Sequence, residues 1–149
     1  MLENLWDEEH GPANHAELWL RFAEGIGVDR DGVQRANWNA GSEELVETYR
    51  RTTTEAPVAA GVAALYAYER QVPAVATAKM DGLRRHFGVD DERALSFLEL
   101  HSALDVEHSD AERRIVEDLG AGTEDEVIGA TDAALDAWWR FLDAVDTER

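Results

Sequence analysis

The segment LELHSALDVEHSDAERR, residues 98–114, constrains the fold of this chain more than any other part of it. It contains neither glycine nor proline, so it predicts one uninterrupted helix. A helix turns about 100° per residue, which places His101, Asp105 and His108 along one stripe. Two imidazoles and a carboxylate on one stripe have the spacing of metal ligands, similar to HExxH, and the mixed donors suit iron, manganese or zinc. The alternative is that these side chains are simply solvated on an acidic helix.

Glu69 ends a second informative segment, APVAAGVAALYAYERQVP, in which residues 58 to 68 are almost wholly apolar or small. That composition predicts a helix buried on nearly all sides. A buried carboxylate must be paired, protonated or bound to a metal, because an isolated buried charge is very costly. The neighbouring Arg70 points about 100° away on a helix and cannot easily pair with it. Glu69 could instead pair with an arginine from elsewhere or reach solvent near Pro73.

The segment NLWDEEHGPANHAELWLRF offers further acids and histidines close to the start of the chain, namely Glu8, Glu9, His10 and His15. A Gly-Pro pair at residues 11 and 12 interrupts it, since proline cannot donate a helical hydrogen bond. A kink of this kind can bring an acid and a histidine from either side onto one target. A loop with exposed histidines is the alternative.

Taken in order, these residues resemble the pattern of the heme-oxygenase-like diiron oxidase and oxygenase superfamily. Relatives there are labelled pyrroloquinoline-quinone synthase C-like, thiaminase-II-like and p-aminobenzoate-synthase-like. The pattern is a glutamate, a histidine seven residues on, a second helical glutamate and HxxxDxxH. The matching positions are Glu8, His15, Glu69, His101, Asp105 and His108. The surrounding segments ELWLRF, LYAYERQVP and KMDGLRRHFG are also similar to the family.

The resemblance implies a carboxylate-bridged site for two iron ions, with manganese as the alternative metal and Glu69 as the bridging ligand. It further implies that dioxygen oxidises a small organic substrate, in a role such as cofactor biosynthesis. The chain has no cysteine, which excludes the thiaminase-II mechanism with its cysteine nucleophile. A metal-free oxidase like pyrroloquinoline-quinone synthase C, and an inactive helical interaction protein, remain as alternatives.

The predicted fold class is all-α, because no run of residues alternates with period two. The resemblance makes this a heme-oxygenase-like helical bundle in a single domain, residues 1–149. We expect helices over residues 14–24, 42–51, 56–72, 73–87, from about 91 to 119 and from 123 onward, with a polar loop at 28–41. Gly88 should stop the helix over 73–87, and Asp90 or Asp91 should cap the helix that follows. Family members have helices before the first ligand, so the bundle looks N-terminally shortened. Either the sequence is truncated at its start, or another subunit covers the exposed apolar face, in which case we expect a homodimer.

The net charge of −18 restricts the partners of this chain. Such a surface should repel nucleic acid and anionic membranes. Many acids with almost no lysine are typical of a halophilic, high-salt cytoplasm, although a high-GC genome would also favour arginine. No apolar run approaches the length of a membrane helix and the acidic N-terminus has no signal-peptide pattern, so we take the cytoplasm as the expected location.

Lys79 is the only lysine among 14 basic side chains. It lies ten residues after Glu69, across a predicted helix–proline–helix connection, and the two could share a cavity. We therefore name Lys79 as a candidate catalytic residue. The alternative is an ordinary surface lysine.

Overall fold

Helices make up most of the computed structural model, which describes residues 5–6, 9–12 and 14–147. No β-strand occurs in these described residues, which confirms the all-α prediction. A short π-helical turn, Leu83–Phe87, follows the fifth of the helices named below. The α-helices are α1 (His15–Gly25), α2 (Arg30–Arg35), α3 (Ala40–Glu55), α4 (Val58–Glu69), α5 (Val72–Gly82), α6 (Glu92–Leu119) and α7 (Glu124–Thr147).

The described residues divide into two compact units. The first unit holds the described residues up to Ala36 together with Gln71–His108, and the second holds Asn37–Arg70 with the described residues from Ser109 on. Helix α6 therefore begins in the first unit and ends in the second. That the chain forms one domain stays a prediction.

The first unit has an apolar core built by α5 and the N-terminal half of α6. Its buried members are Val72, Ala76, Met80, Leu95 and Leu98. Helix α1 approaches α6 closely, because a Cβ added at Gly25 would collide with the Ala94 side chain. Glycine at this position lets α1 lie directly against the helix that carries the HxxxDxxH motif.

The second unit is packed through small residues. Helix α4 buries five alanines, a glycine and a valine, and α7 buries only alanines on its inner face. Gly41 of α3 lies against α7, since a Cβ there would be 2.7 Å from the Ala144 Cβ and 3.0 Å from the Phe141 Cα. Small side chains thus allow α3, α4 and α7 to pack with their backbones near one another.

The predicted polar loop at residues 28–41 is wrong in part. Asp29 caps α2, with its side chain accepting a hydrogen bond from the Gly32 N–H at 2.7 Å. Asn39 caps α3 in the same way through the Ser42 N–H at 2.8 Å. Aspartate and asparagine favour loops, but they also start helices. Each of these two side chains accepts a hydrogen bond from an N–H group in the first helical turn, which has no backbone partner.

The apolar helix ends at Glu69, three residues before its predicted end. Pro73 lies in the first turn of α5, where a missing N–H costs nothing. Past the π-helical turn, Gly88 ends the helical stretch with a φ of +67°, as predicted for a C-terminal glycine. Asp91 caps α6 through the Ala94 N–H at 3.0 Å, and the long helix to Leu119 is confirmed. None of the described helices has the length and apolar character that a membrane crossing requires.

Candidate metal centre

His15 is the first residue of α1, and the cap that starts the helix fixes its position. The Asn14 side chain accepts a hydrogen bond from the Glu17 N–H at 2.9 Å. The His15 side chain is buried, and both of its ring nitrogens are shielded from solvent. Its ring lies 4.5 Å from the His101 ring and 6.1 Å from Phe97, measured between centroids. The structure therefore brings two predicted ligands together from α1 and α6.

Helix α6 places His101, Asp105 and His108 as the sequence pattern predicts. Asp105 is 3 % exposed and His108 is also buried, whereas His101 is partly buried. The Asp105 Oδ1 and His108 Nδ1 atoms are 3.9 Å apart, too far for a hydrogen bond between them. The solvated-helix alternative fails for these two side chains, because both lie inside the protein.

The tautomer of His101 follows from its hydrogen bond. Its Nδ1 lies 2.7 Å from the carbonyl oxygen of Phe97. A carbonyl oxygen can only accept, so Nδ1 carries the hydrogen and the neutral ring keeps its lone pair on Nε2. Metal-binding histidines commonly donate their other ring nitrogen to a backbone carbonyl in this way.

A network of ion pairs holds α1 against α2 in the first unit. The Arg30 guanidinium contacts Glu17 at 2.6 Å and Glu24 at 2.7 Å. Hydrogen bonds from Arg30, and then from Arg21, lower the pKa of Glu17 to about 2. Arg30 is likewise the main cause of the lowered pKa of Glu24, with Arg93 of α6 adding to it. The network attaches the helix that carries His15 to both of its neighbours.

The remaining predicted site residues are Glu8, Glu69 and Lys79. Glu8 lies outside the described residues. Glu69 is the last residue of α4 in the second unit, partly buried, with one carboxylate oxygen shielded from solvent. Lys79 is exposed on α5. Among the described residues no three histidine or acidic side chains converge on one point.

Sequence reasoning missed Glu112. This side chain is 2 % exposed in the second unit, although glutamate is among the residues least often buried. It lies four residues after His108 and seven after Asp105 in α6. Extending the stripe of polar residues by one more turn would have found it.

The donors present fit iron by their chemistry. The imidazoles of His15 and His108 and the carboxylate of Asp105 are buried, and the His101 Nε2 is the nitrogen open to a ligand. Nitrogen and oxygen donors of this kind suit iron or manganese.

A family model described as iron-containing redox enzyme matches residues 1–143. The chain belongs to this family. Its membership supports the resemblance to heme-oxygenase-like proteins, and the all-α class agrees with it.

Three relatives of this chain are named 4-aminobenzoate synthase. The protein of Nitrosomonas europaea is 42% identical over 147 residues, covering 97% of this chain and 60% of the relative. The proteins of Chlamydia pneumoniae and Chlamydia trachomatis serovar D are 35% and 34% identical, covering 95% and 97% of the chain, and 63% and 62% of the relatives. The chain thus spans about three fifths of the length of the curated relatives it matches.

Proposed function

We propose that this chain forms the iron-dependent part of an oxidoreductase that uses dioxygen to oxidise a small organic substrate in cofactor biosynthesis. Membership of an iron-containing redox family supports the metal. The name of the relatives, 4-aminobenzoate synthase, supports a biosynthetic role with a small aromatic product. The observation that carries the proposal is the imidazole pair, His15 and His101, with ring centroids 4.5 Å apart.

The proposed ligands are drawn from the structure and from the family pattern. His15, His101, Asp105 and His108 belong to the first unit. The resemblance adds Glu8 and Glu69, which would complete a carboxylate-bridged site for two iron ions, with manganese as the alternative. Bound ferrous iron would supply the electrons that dioxygen chemistry requires. The chain itself would hold the donors in place and keep water from Asp105 and His108, whose side chains are buried.

Anaerobic titration with ferrous iron, followed by elemental analysis, tests the metal. We expect about two ions per chain, as in carboxylate-bridged dinuclear proteins. An oxygen electrode then tests the reaction, with wild-type protein consuming dioxygen and the double variant His101→Ala/His108→Ala failing to do so. Folded protein that takes up neither iron nor manganese would refute the proposal. Equal oxygen uptake by the double variant would assign the reaction to free iron.

We also propose Lys79 as a catalytic residue. Lys79 is exposed on α5 and is the single lysine in the sequence. A positioned amine can act as a general base or nucleophile. Lys79→Ala should stop product formation while leaving the iron content unchanged. Lys79→Arg, which keeps the charge but cannot release its proton, should fail as well. Normal turnover in both variants would return Lys79 to the role of a surface residue.

A further inference from the structure

Three aromatic side chains from three helices meet beside α4 in the second unit. The Trp138 Nε1 of α7 donates a hydrogen bond to the Tyr49 hydroxyl of α3 at 3.0 Å. That hydroxyl in turn donates to the carbonyl oxygen of Ala64 at 3.2 Å. The ring of Tyr68 stacks on Trp138, with centroids 4.2 Å apart and planes 7° from parallel. We call Tyr49, Tyr68 and Trp138 the aromatic support.

The Tyr49 hydroxyl both accepts and donates within this group. Burial is the main cause of its raised pKa, and Tyr68, Glu69 and Glu112 raise it further. Tyr49 therefore stays a neutral phenol at physiological pH and keeps the proton that it shares with the Ala64 carbonyl. Glu69 and Glu112 of the same unit each have one carboxylate oxygen shielded from solvent.

The aromatic support holds the C-terminal part of α4, the helix that ends at Glu69. Ala64 and Tyr68, the two points of attachment, lie five residues and one residue before Glu69. The last turn of a helix frays readily, because its carbonyl groups have no partners in the next turn. The buried positions of α4 are glycine, alanine and valine, which offer no polar side chain to fix its end. The hydrogen bond at Ala64 and the stack at Tyr68 supply that restraint.

We infer that Tyr49 and Trp138 are positioning residues that fix the direction of the Glu69 carboxylate through the last two turns of α4. The inference rests on the proposed function, in which Glu69 is an iron ligand. Groups that orient a metal ligand without touching the metal commonly change metal affinity by roughly tenfold to a hundredfold when they are removed. Tyr49 and Trp138 would act in this manner.

The test compares Tyr49→Phe, Trp138→Phe and the double variant with wild type. Tyr49→Phe keeps the ring and removes both hydrogen bonds, and Trp138→Phe keeps an aromatic partner for Tyr68 but removes the donor. Trp139→Phe is the matched control, because Trp139 is the neighbouring tryptophan and is 67% exposed. Each protein is titrated anaerobically with ferrous iron, and backbone hydrogen exchange is measured over α4 without metal. Urea unfolding records the global stability separately.

We expect Tyr49→Phe to weaken iron binding by roughly tenfold or more and to speed hydrogen exchange at Tyr68 and Glu69 while the start of α4 stays protected. The double variant should lose little more affinity than Tyr49→Phe, since both changes break the same hydrogen bond. Unchanged iron affinity in Tyr49→Phe, or exchange that rises equally along all of α4, would overturn the inference. Wild-type protein that binds no iron would refute the proposed function, and the inference with it, before any variant is compared.

Discussion

A single hydrogen bond decides which nitrogen of His101 can bind a metal. The Phe97 carbonyl oxygen lies 2.7 Å from Nδ1, so Nε2 is the nitrogen left with a lone pair. We expect His101→Ala to lower the iron content of anaerobically loaded protein. His86→Ala is the control, because His86 is an exposed histidine of the same unit. Elemental analysis of both variants gives the comparison, and equal loss of iron from the two would contradict the assignment of His101.

Arg30 gives the first unit a stabilisation that depends on pH. It lowers the pKa of Glu24 from 4.5 and that of Glu17 to about 2. Carboxylates with a lowered pKa stabilise the folded state above their unfolded pKa and lose this effect as the pH falls through the folded value. Arg30→Ala should therefore be less stable than wild type at neutral pH, and the difference should vanish as the pH falls from 4.5 to about 2.

Urea unfolding at a series of pH values measures this difference. Arg35→Ala is the matched control, since the Arg35–Asp31 pair is exposed and 3.4 Å long. An exposed pair of this kind contributes little, so the control should follow wild type throughout. A wild-type advantage over Arg30→Ala that persists unchanged at pH 2 would mean that Arg30 acts through packing and not through its charge.

For single residues, the sequence predicts which side chains share one face of a helix. It does not predict the contacts between side chains of two different helices. The stripe of His101, Asp105 and His108 is set by the period of α6 and could be read directly. The approach of His15 to His101 joins distant parts of the chain, and no spacing in the sequence gives that distance. Glu112 continues this stripe by one more turn, so its position could be read from the sequence, whereas its burial is visible only in the packed structure.

At the level of helices, glycine sets how closely α3 and α7 approach. A Cβ at Gly41 would meet the Ala144 Cβ at 2.7 Å and the Arg140 carbonyl oxygen at 3.1 Å, and backbone cannot move aside cheaply. We expect Gly41→Ala to lower the free energy of unfolding by about 1–3 kcal/mol, the usual cost of overpacking. Gly129→Ala should raise it by about 0.5–1 kcal/mol, because that helical glycine has nothing within 4 Å of an added Cβ.

Denaturant unfolding of the two glycine variants provides the measurement. Both substitutions add the same methyl group inside a helix, so only the surroundings differ. A stabilised Gly41→Ala protein would show that α3 and α7 can separate at no cost.

Helix boundaries could be predicted where a cap or a strong breaker marks them. Gly88 is predicted as a helix stop and either Asp90 or Asp91 as the next cap, and the structure uses Asp91 to start α6. Helix α2 was missed because Asp29 and Asn39 can start either a turn or a helix. The break between α4 and α5 is predicted at Pro73 but falls earlier, at Arg70 and Gln71, whose good helical propensity gives no sign of the exact position.

On the scale of the whole chain, composition and motif order were enough for the class of protein. The all-α class and the iron-containing redox family agree with the expectation drawn from six ligand-type residues in sequence. The arrangement of a complete site cannot be read in the same way, because Glu69 would have to join His15 and His101, which lie far from it along the chain. A substrate leaves still less trace in a sequence, since its contacts involve shape as well as residue type.

Charge and exposed apolar surface oppose each other in self-association. The chain carries a net charge of −18, while Ile128, Trp139 and Leu142 follow one stripe of α7 and are 59%, 67% and 49% exposed. Salt shortens the Debye length from about 10 Å at 0.1 M to about 3 Å at 1 M, which weakens repulsion between copies. Burial of apolar surface is not weakened by this screening. We therefore propose that the chain forms a homodimer and that this dimer becomes more stable as salt rises.

Light scattering across a series of salt concentrations, at fixed protein concentration, measures the mass directly. The average mass should rise toward that of a dimer with increasing salt. Trp139→Ser should reduce this rise, because it removes the most exposed apolar side chain of the α7 stripe. Trp38→Ser is the control, since Trp38 is 60% exposed but precedes α3 and is not part of that stripe. A constant monomer mass at every salt concentration would refute the homodimer, and equal losses in both variants would place the contact away from α7.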